Sequence, residues 1–210
     1  MTAPRTLLRA AAIAVCAGAL AGCISLFPKS KPAALYHLEP VMPTPAADRA
    51  VAGDFLVLRA GGFFTQAAAG DRILTLSGEQ AAYVAQTRWV SPAAQLWDEA
   101  LLRAFDASGG PARLVSRGEP GRPEYALRLD VRDFEAVYEN GPEAAPVILV
   151  RVRAALTRNA DAGPVAEQIF EARIPAADNR VSAIVAAFNQ ATGQVLGRIV
   201  DWTNRKGQSS

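Results

Sequence analysis

Residues 125–135 read Tyr-Ala-Leu-Arg-Leu-Asp-Val-Arg-Asp-Phe-Glu, and they are the clearest structural pattern in the chain. Apolar side chains occupy the odd positions from 125 to 131 and alternate with Ala, Arg and Asp. This alternation predicts a β-strand with one buried face and one solvated face. The phase then changes, because Phe134 carries the next large apolar side chain at an even position. One extra residue near Arg132 and Asp133 would cause this slip, so we expect a β-bulge there.

Two further strands follow with the same period of two. The first has apolar residues at 148, 150, 152, 154 and 156, and the second has them at 170, 172 and 174. Turn-forming residues separate the strands, at Asn140-Gly141-Pro142 and again between Asn159 and Pro164. Three long strands joined by short turns predict an antiparallel meander.

Two amphipathic helices are predicted on either side of the meander. The first has Ser91 as a candidate N-cap and Pro92 at its first position, and Gly109-Gly110 ends it. The second covers residues 178–204, with Asp178 or Asn179 as a candidate cap. Apolar residues repeat at three- and four-residue spacing in both, which gives each helix one apolar face.

The part of the chain before the first helix is strand-like but less regular. Short apolar or alternating runs lie at residues 35–38, 55–58, 72–76 and 82–86. We therefore predict an α+β fold with the order β-β-β-α-β-β-β-β-α, in which two amphipathic helices pack on one face of a mostly antiparallel sheet. Residues 35–204 are expected to form one domain, and residues 205–210 a flexible tail. Trp89 is expected to pack in a corner of this domain.

The N-terminal segment indicates export and lipidation. Arg5 and Arg9 precede an apolar run at residues 10–20, and Leu20-Ala21-Gly22-Cys23 follows as a bacterial lipobox. Residues 1–22 are therefore predicted to be a lipoprotein signal peptide. Cys23 is predicted to carry a diacylglyceryl anchor with fatty acyl chains such as palmitate, and residues 23–34 to form a lipidated tether.

Composition argues against several classes of partner. The formal net charge of +2 falls to zero once Arg5 and Arg9 leave with the signal peptide, so no nucleic-acid footprint remains. Cys16 leaves with the same segment and lipid blocks Cys23, so the mature protein has neither a free thiol nor a disulfide. The membrane is expected to be reached through the lipid anchor.

Candidate catalytic and metal-binding groups are sparse. His37 is the single histidine, so neither a metal site nor a Ser-His-acid arrangement is expected, and no cofactor is predicted. Asp98-Glu99 and the acids at 130, 133 and 135 are alternative acid–base candidates for an envelope hydrolase. We interpret them instead as solvated faces beside Arg128 and Arg132, and we expect no enzymatic activity.

The ordered combination of features resembles the ABC-type transport auxiliary lipoprotein family. The features that carry the resemblance are Cys23, Tyr36-His37-Leu38, the strand at 55–58, Arg88-Trp89-Val90-Ser91-Pro92 with its helix, the strand at 129–135 and the final helix. The resemblance implies an accessory lipoprotein of an ABC and MCE-type system that moves phospholipid or other apolar compounds. It implies an MCE-domain protein and an ABC permease and ATPase as partners. Ile24 after the lipidated Cys23 favours the outer membrane, facing the periplasm.

Two points stay open at the level of sequence. A structural or assembly-factor lipoprotein of an outer-membrane complex unrelated to transport would share the same anchor and the same inert domain, and a homo-oligomer is also compatible. The predicted partner-docking residues are Arg128, Arg132, Arg151 and Arg153, which lie on the solvated face of the meander. An unpaired sheet edge is the alternative docking element, through strand addition.

Overall fold

The computed structural model describes residues 32–41 and 55–208. The predicted signal peptide, Cys23 and nearly all of the tether lie outside these residues. The described residues form ten strands and three helices: β1 (Ala34–Tyr36), β2 (Phe55–Arg59), β3 (Phe63–Phe64), α1 (Gln66–Ala69), β4 (Leu74–Ser77), β5 (Gln80–Tyr83), β6 (Thr87–Trp89), α2 (Ala93–Ser108), β7 (Ala112–Val115), β8 (Tyr125–Val137), β9 (Val147–Arg158), β10 (Pro164–Pro175) and α3 (Val181–Gln208).

The predicted meander is confirmed. β8 pairs with β9 and β9 pairs with β10, both antiparallel. The predicted bulge is confirmed as well, because Val131 pairs with Val152 and Asp133 pairs with Arg151, which leaves Arg132 as the extra residue. The bulge turns Asp133 to the solvated side and Phe134 into the core, where its exposure falls to 1%.

The α+β class is confirmed, but the sheet is mixed. Its main path runs β10-β9-β8-β2-β7, and β2 is parallel to both β7 and β8. β3 and β4 also pair with β8 in parallel, and β5 pairs antiparallel with β4. Within residues 32–41 and 55–92, six strands precede the first long helix, where the expected order has three. The parallel pairs arise because long connections, one of them through α2, return the chain in the same direction.

Both long helices lie on one face of the sheet, as expected. α3 packs on β9 and β10, and α2 contacts both β7 and α3. The core between sheet and helices is a single apolar cluster that includes Trp97, Leu127, Phe134, Val150 and Leu196. None of the helices in the described residues is long and apolar enough to cross a membrane.

The predicted cap of the first long helix was wrong by one residue. Pro92, not Ser91, occupies the N-cap position of α2, and its carbonyl accepts from the amides of Gln95 and Leu96 at 2.9 and 3.1 Å. The amide of Ala93 donates to Gly70 O at 2.9 Å, so a neighbouring turn supplies an acceptor for the helix end in place of a Ser side chain. The predicted stop is confirmed, because Gly109 follows α2 in the left-handed conformation.

The final helix starts and ends later than the sequence predicts. It begins at Val181, and Asp178 Oδ1 accepts from the Arg180 amide at 2.7 Å just before it. It continues to Gln208, beyond the expected end at residue 204. Tyr125 Oη donates to Gly207 O at 3.0 Å, so a side chain of β8 binds the last turn. Residues 205–208 therefore belong to the helix and not to a tail.

Candidate docking surface

The side of β8, β9 and β10 that faces away from the helices is called here the outer face. It carries Arg128 on β8 and both Arg151 and Arg153 on β9, which are three of the four predicted docking residues. Arg132 lies in the bulge of β8 and is exposed. The sheet therefore brings three of the four arginines together over neighbouring strands and sets Arg132 at an irregular point beside them.

Asp130 is the centre of one ion-pair cluster on the outer face. Its carboxylate accepts from Arg128 Nε at 3.0 Å and from Arg153 Nη1 at 3.1 Å. It also accepts from the backbone amide of Phe63 at 3.2 Å, which fastens β3 to β8. Arg153 in addition pairs with Glu167 on β10. Asp130 is buried beneath these groups, so its charge is compensated at close range.

Arg151 is the centre of a second cluster. Its Nη1 lies 2.9 Å from Asp133 Oδ2, and its Nε donates to Glu171 Oε2 at 2.7 Å. This cluster depends on the bulge, because an unbroken alternation would have turned Asp133 towards the core. Together the two clusters hold arginines on β9 between acids on β8 and β10, so that the outer face is ordered before any partner arrives.

Arg132 and Glu135 differ from the paired residues of the outer face. Arg132 acts electrostatically on Glu167: a hydrogen bond from Arg153 lowers the pKa of Glu167, and the charge of Arg132 lowers it further. Glu135 is buried, and burial raises its pKa above the ordinary value of 4.5, with Asp133 raising it further and Arg151 opposing the rise. Glu135 is thus a buried acid whose ionised form is disfavoured, and it belongs to neither cluster.

One row of the outer face runs across four strands. Phe63 on β3 pairs with Asp130, Asp130 pairs with Arg153, and Arg153 pairs with Ile169 on β10. The two ends of the row are apolar and open, since Phe63 is 49% exposed and Ile169 is 52% exposed. Three strand spacings separate them, or roughly 14 Å. The row therefore presents two apolar contacts on either side of a charged pair.

The edge of the sheet at β10 is the other predicted docking element. Among the described strands, β10 pairs only with β9. The backbone carbonyl of Glu171 on β10 accepts a hydrogen bond from Arg198 of α3. Proline stands at both ends of the strand, at Pro164 and Pro175. A helix side chain and two prolines thus protect much of this edge, which makes the outer face the better candidate for docking.

Other predicted residues lie apart from the outer face. His37 is exposed just after β1. Trp89 packs in a corner as expected, and it is 2% exposed. Phe64 is partly buried against Phe134, whereas its neighbour Phe63 is exposed at the end of the outer-face row.

One partly buried ion pair was not predicted from the sequence. Arg59 of β2 pairs with Asp98 of α2 on the helix side of the sheet, and burial raises the pKa of Asp98 while Arg59 opposes the rise. The signal was present, because Arg59 shares the buried phase of Phe55 and Val57 and needs a partner there. A cavity of about 140 Å³ lies beside this pair. It is well below the ~300 Å³ at which ordinary ligand pockets begin.

The chain matches one protein family along most of its length. The model of the ABC-type transport auxiliary lipoprotein component matches residues 36–200. This chain belongs to that family. The match begins in β1 and ends within α3, so it includes every element that builds the outer face. A comparison with curated proteins found no match.

Solved structures support the family and the fold. Protein XCC0632 from Xanthomonas campestris, assigned to family DUF330, is similar with a TM-score of 0.71 and 26% identity, over 84% of this auxiliary lipoprotein and 98% of that chain. An uncharacterized protein is similar with a TM-score of 0.64 and 14% identity, over 82% of this chain and 99% of that chain, which bears on the fold alone. Family membership makes this chain a lipoprotein of an ABC-type transport system in the cell envelope.

Proposed function

We propose that this protein is a non-catalytic accessory subunit that is anchored through a lipid on Cys23 and docks an MCE-domain protein of an ABC transport system. The system would move phospholipid or another apolar compound, and the anchor would lie in the outer membrane facing the periplasm. Membership of the auxiliary lipoprotein family is the observation that carries the proposal. The lipobox ending at Cys23 and the following Ile24 support the anchor and its membrane.

The outer face has the composition of a protein-docking surface. Exposed apolar groups at Phe63 and Ile169 offer area that a partner can remove from water. The arginines between them are already held by acids, so less side-chain freedom is lost on binding than with unpaired arginines. Arginine and aromatic residues are the types that most often dominate binding energy. We therefore place partner docking on the outer face.

The test of docking needs variants that leave the ion pairs intact. Reversing both Arg151 and Arg153 is expected to weaken partner capture, but it would also break both clusters. Arg132→Glu is the cleaner variant, because Arg132 lies in the exposed bulge outside both clusters. A second is Ile169→Ser, which removes an exposed apolar group from the outer face and leaves both clusters intact. Arg122→Glu, in an exposed loop, is the matched control.

The experiment is affinity capture of the mature lipidated protein from membranes at native expression, with partners identified by mass spectrometry. We expect an MCE-domain protein and ABC components to be recovered with the wild type and with Arg122→Glu. We expect recovery to fall at least several-fold with Arg132→Glu and with Ile169→Ser. Recovery of no ABC or MCE component by the wild type would contradict the proposed function, whereas unchanged recovery by both variants would contradict only the docking face.

A further inference from the structure

The parallel pair of β1 and β6 has a small exposed surface of its own. Leu35 pairs with Arg88, and the amide of Val90 donates to Tyr36 O at 2.9 Å. Because side chains alternate along strands, Leu35 and His37 lie beside Arg88 and Val90 on the outward side. We call these four residues the β1–β6 patch. All four are exposed, and the intervening Trp89 is turned into the core.

The β1–β6 patch combines two exposed apolar side chains with a compensated charge. Leu35 is 62% exposed and Val90 is 40% exposed. Single exposed apolar residues are ordinary, but Leu35 and Val90 lie diagonally across the paired segments, since Leu35 pairs with Arg88, and together they offer apolar area that a partner can cover. Arg88 Nη1 lies 2.8 Å from Asp71 Oδ2, so the charge beside them is already paired. The occupant therefore needs an apolar or amphipathic surface and no particular charge.

The position of the patch along the chain identifies that occupant. β1 is the first described strand after Cys23, and Leu35 is separated from Cys23 by twelve residue steps. A predicted tether of this length would have a root-mean-square reach of about 20 Å as a flexible chain, and its fully extended limit would be about 40 Å. A lipid on Cys23 would thus hold the patch close to the bilayer at all times, at a high effective concentration.

We propose that the β1–β6 patch rests on the membrane that holds the lipid anchor, with Leu35 and Val90 in the interfacial region of the bilayer. The inference depends on the lipidation of Cys23 in the proposed function, and it adds an orientation to that anchor. The protein then contacts the membrane at two points, which are the acyl chains and the first strand pair. Two contacts restrict how the domain tilts, so the outer face is presented to partners in a limited range of directions.

Single-cysteine labelling tests this contact in the full mature protein. Cys16 leaves with the signal peptide and Cys23 is blocked by lipid, so an introduced cysteine is the sole free thiol. Leu35→Cys and Val90→Cys report on the patch. Phe63→Cys and Ile169→Cys are matched controls, because the native side chains there are exposed to a similar degree. Each variant is labelled with a fluorophore and reconstituted in phosphatidylcholine vesicles that contain a nitroxide-labelled lipid.

We expect quenching by the nitroxide lipid to be at least three-fold stronger at positions 35 and 90 than at positions 63 and 169. Equal quenching at all four positions, with the protein bound to vesicles, would overturn the proposal. Failure of the wild type to sediment with vesicles would instead overturn the lipid anchor on which it rests. Partner capture is measured in a separate experiment, so the quenching results do not bear on the docking proposal.

Lipid charge provides the second measurement. Because Arg88 is paired with Asp71, we expect the same quenching pattern when phosphatidylglycerol replaces a third of the phosphatidylcholine. A pattern that appears only with the anionic lipid would overturn the apolar contact as its cause. The double variant Leu35→Ser with Val90→Ser, carrying its label at His37→Cys, should lose at least half of the quenching that His37→Cys shows alone. Unchanged quenching in the double variant would also contradict the proposal.

Discussion

The indole of Trp89 stands edge-on to the ring of Phe188, with ring centroids 5.5 Å apart and planes at 88°. Trp89 ends β6 and Phe188 lies in α3, so this contact joins the first strand pair to the final helix. Phe134 packs against both rings, with centroids 6.3 Å from Trp89 and 4.9 Å from Phe188. The three aromatic rings therefore connect β1–β6, the central strand and the helix layer.

Trp89→Ala is expected to lower the free energy of unfolding by about 3–5 kcal/mol, because a fully buried ring is removed from a close-packed cluster. Chemical denaturation of the mature domain measures the loss. Phe63→Ala removes an aromatic ring that is half exposed, and should cost no more than about 1 kcal/mol. Similar losses for the two variants would contradict the structural role assigned to Trp89.

The adjacent glycines Gly61 and Gly62 should respond very differently to alanine. A Cβ at Gly62 would lie 1.8 Å from the backbone oxygen of Leu129, whereas a Cβ at Gly61 would meet nothing within 4 Å. Gly62→Ala must therefore move the connection between β2 and β3 away from β8, at a cost of at least 1–3 kcal/mol by analogy with overpacked cores. Gly61→Ala should change stability by less than about 1 kcal/mol. Thermal unfolding of both variants is the measurement, and equal midpoints would contradict the close approach.

Glu135→Gln is expected to stabilise the protein at neutral pH. Folding raises the pKa of Glu135, so the folded state holds this proton more tightly than the unfolded state does. The group's contribution to stability therefore falls as the pH rises from about the ordinary value of 4.5 through the raised pKa. The amide introduced by Glu135→Gln cannot ionise, so the variant avoids this loss of stability at neutral pH. The difference in the free energy of unfolding between variant and wild type should disappear below pH 4.5, where Glu135 is protonated in both states. Denaturation at several pH values tests this, and an advantage that persists in acid would contradict it.

Asp130→Asn is expected to destabilise the protein by about 1–2 kcal/mol. The change removes the charge that holds Arg128 and Arg153, although both arginines can still reach water. The control is Glu99→Gln on α2, where Arg103 Nη1 lies 3.8 Å from the carboxylate and both side chains are about half exposed. The exposed Glu99–Arg103 pair should contribute no more than about 0.5 kcal/mol to the free energy of unfolding. A larger loss at Glu99 than at Asp130 would contradict the central position of Asp130.

The sequence predicted the elements whose evidence is local. The alternation at residues 125–131 and the apolar Phe134 were enough to place a bulge at Arg132, since each side chain's face depends only on its neighbours along the strand. The repeat in α2 and the stop at Gly109 were local in the same sense. The cap of α2 was missed because backbone carbonyls supply it. Pro92 O accepts from amides in the first turn, and Gly70 O accepts from the Ala93 amide, whereas capping rules for sequences rely on side-chain acceptors.

The candidate site was predicted only in outline. Alternation places Arg128, Arg151 and Arg153 on a solvated face, but it does not show which acids hold them. The register of β8, β9 and β10 decides those partners, and one residue of slip would change every pair. Phe63 joins the same row only because β3 runs parallel to β8, and nothing in residues 61–64 indicates that pairing.

The sequence by itself determined the strand and helix faces, the bulge and the expectation of a lipid anchor. Each of these depends on a hydrophobic period or a short motif, which residues close together in the chain define. The tertiary structure alone decided the parallel pairings with β8, the Arg59–Asp98 contact and the β1–β6 patch. These features join residues far apart in the chain. Their energies depend on which distant backbone and side chains are brought together, and no local pattern records that choice.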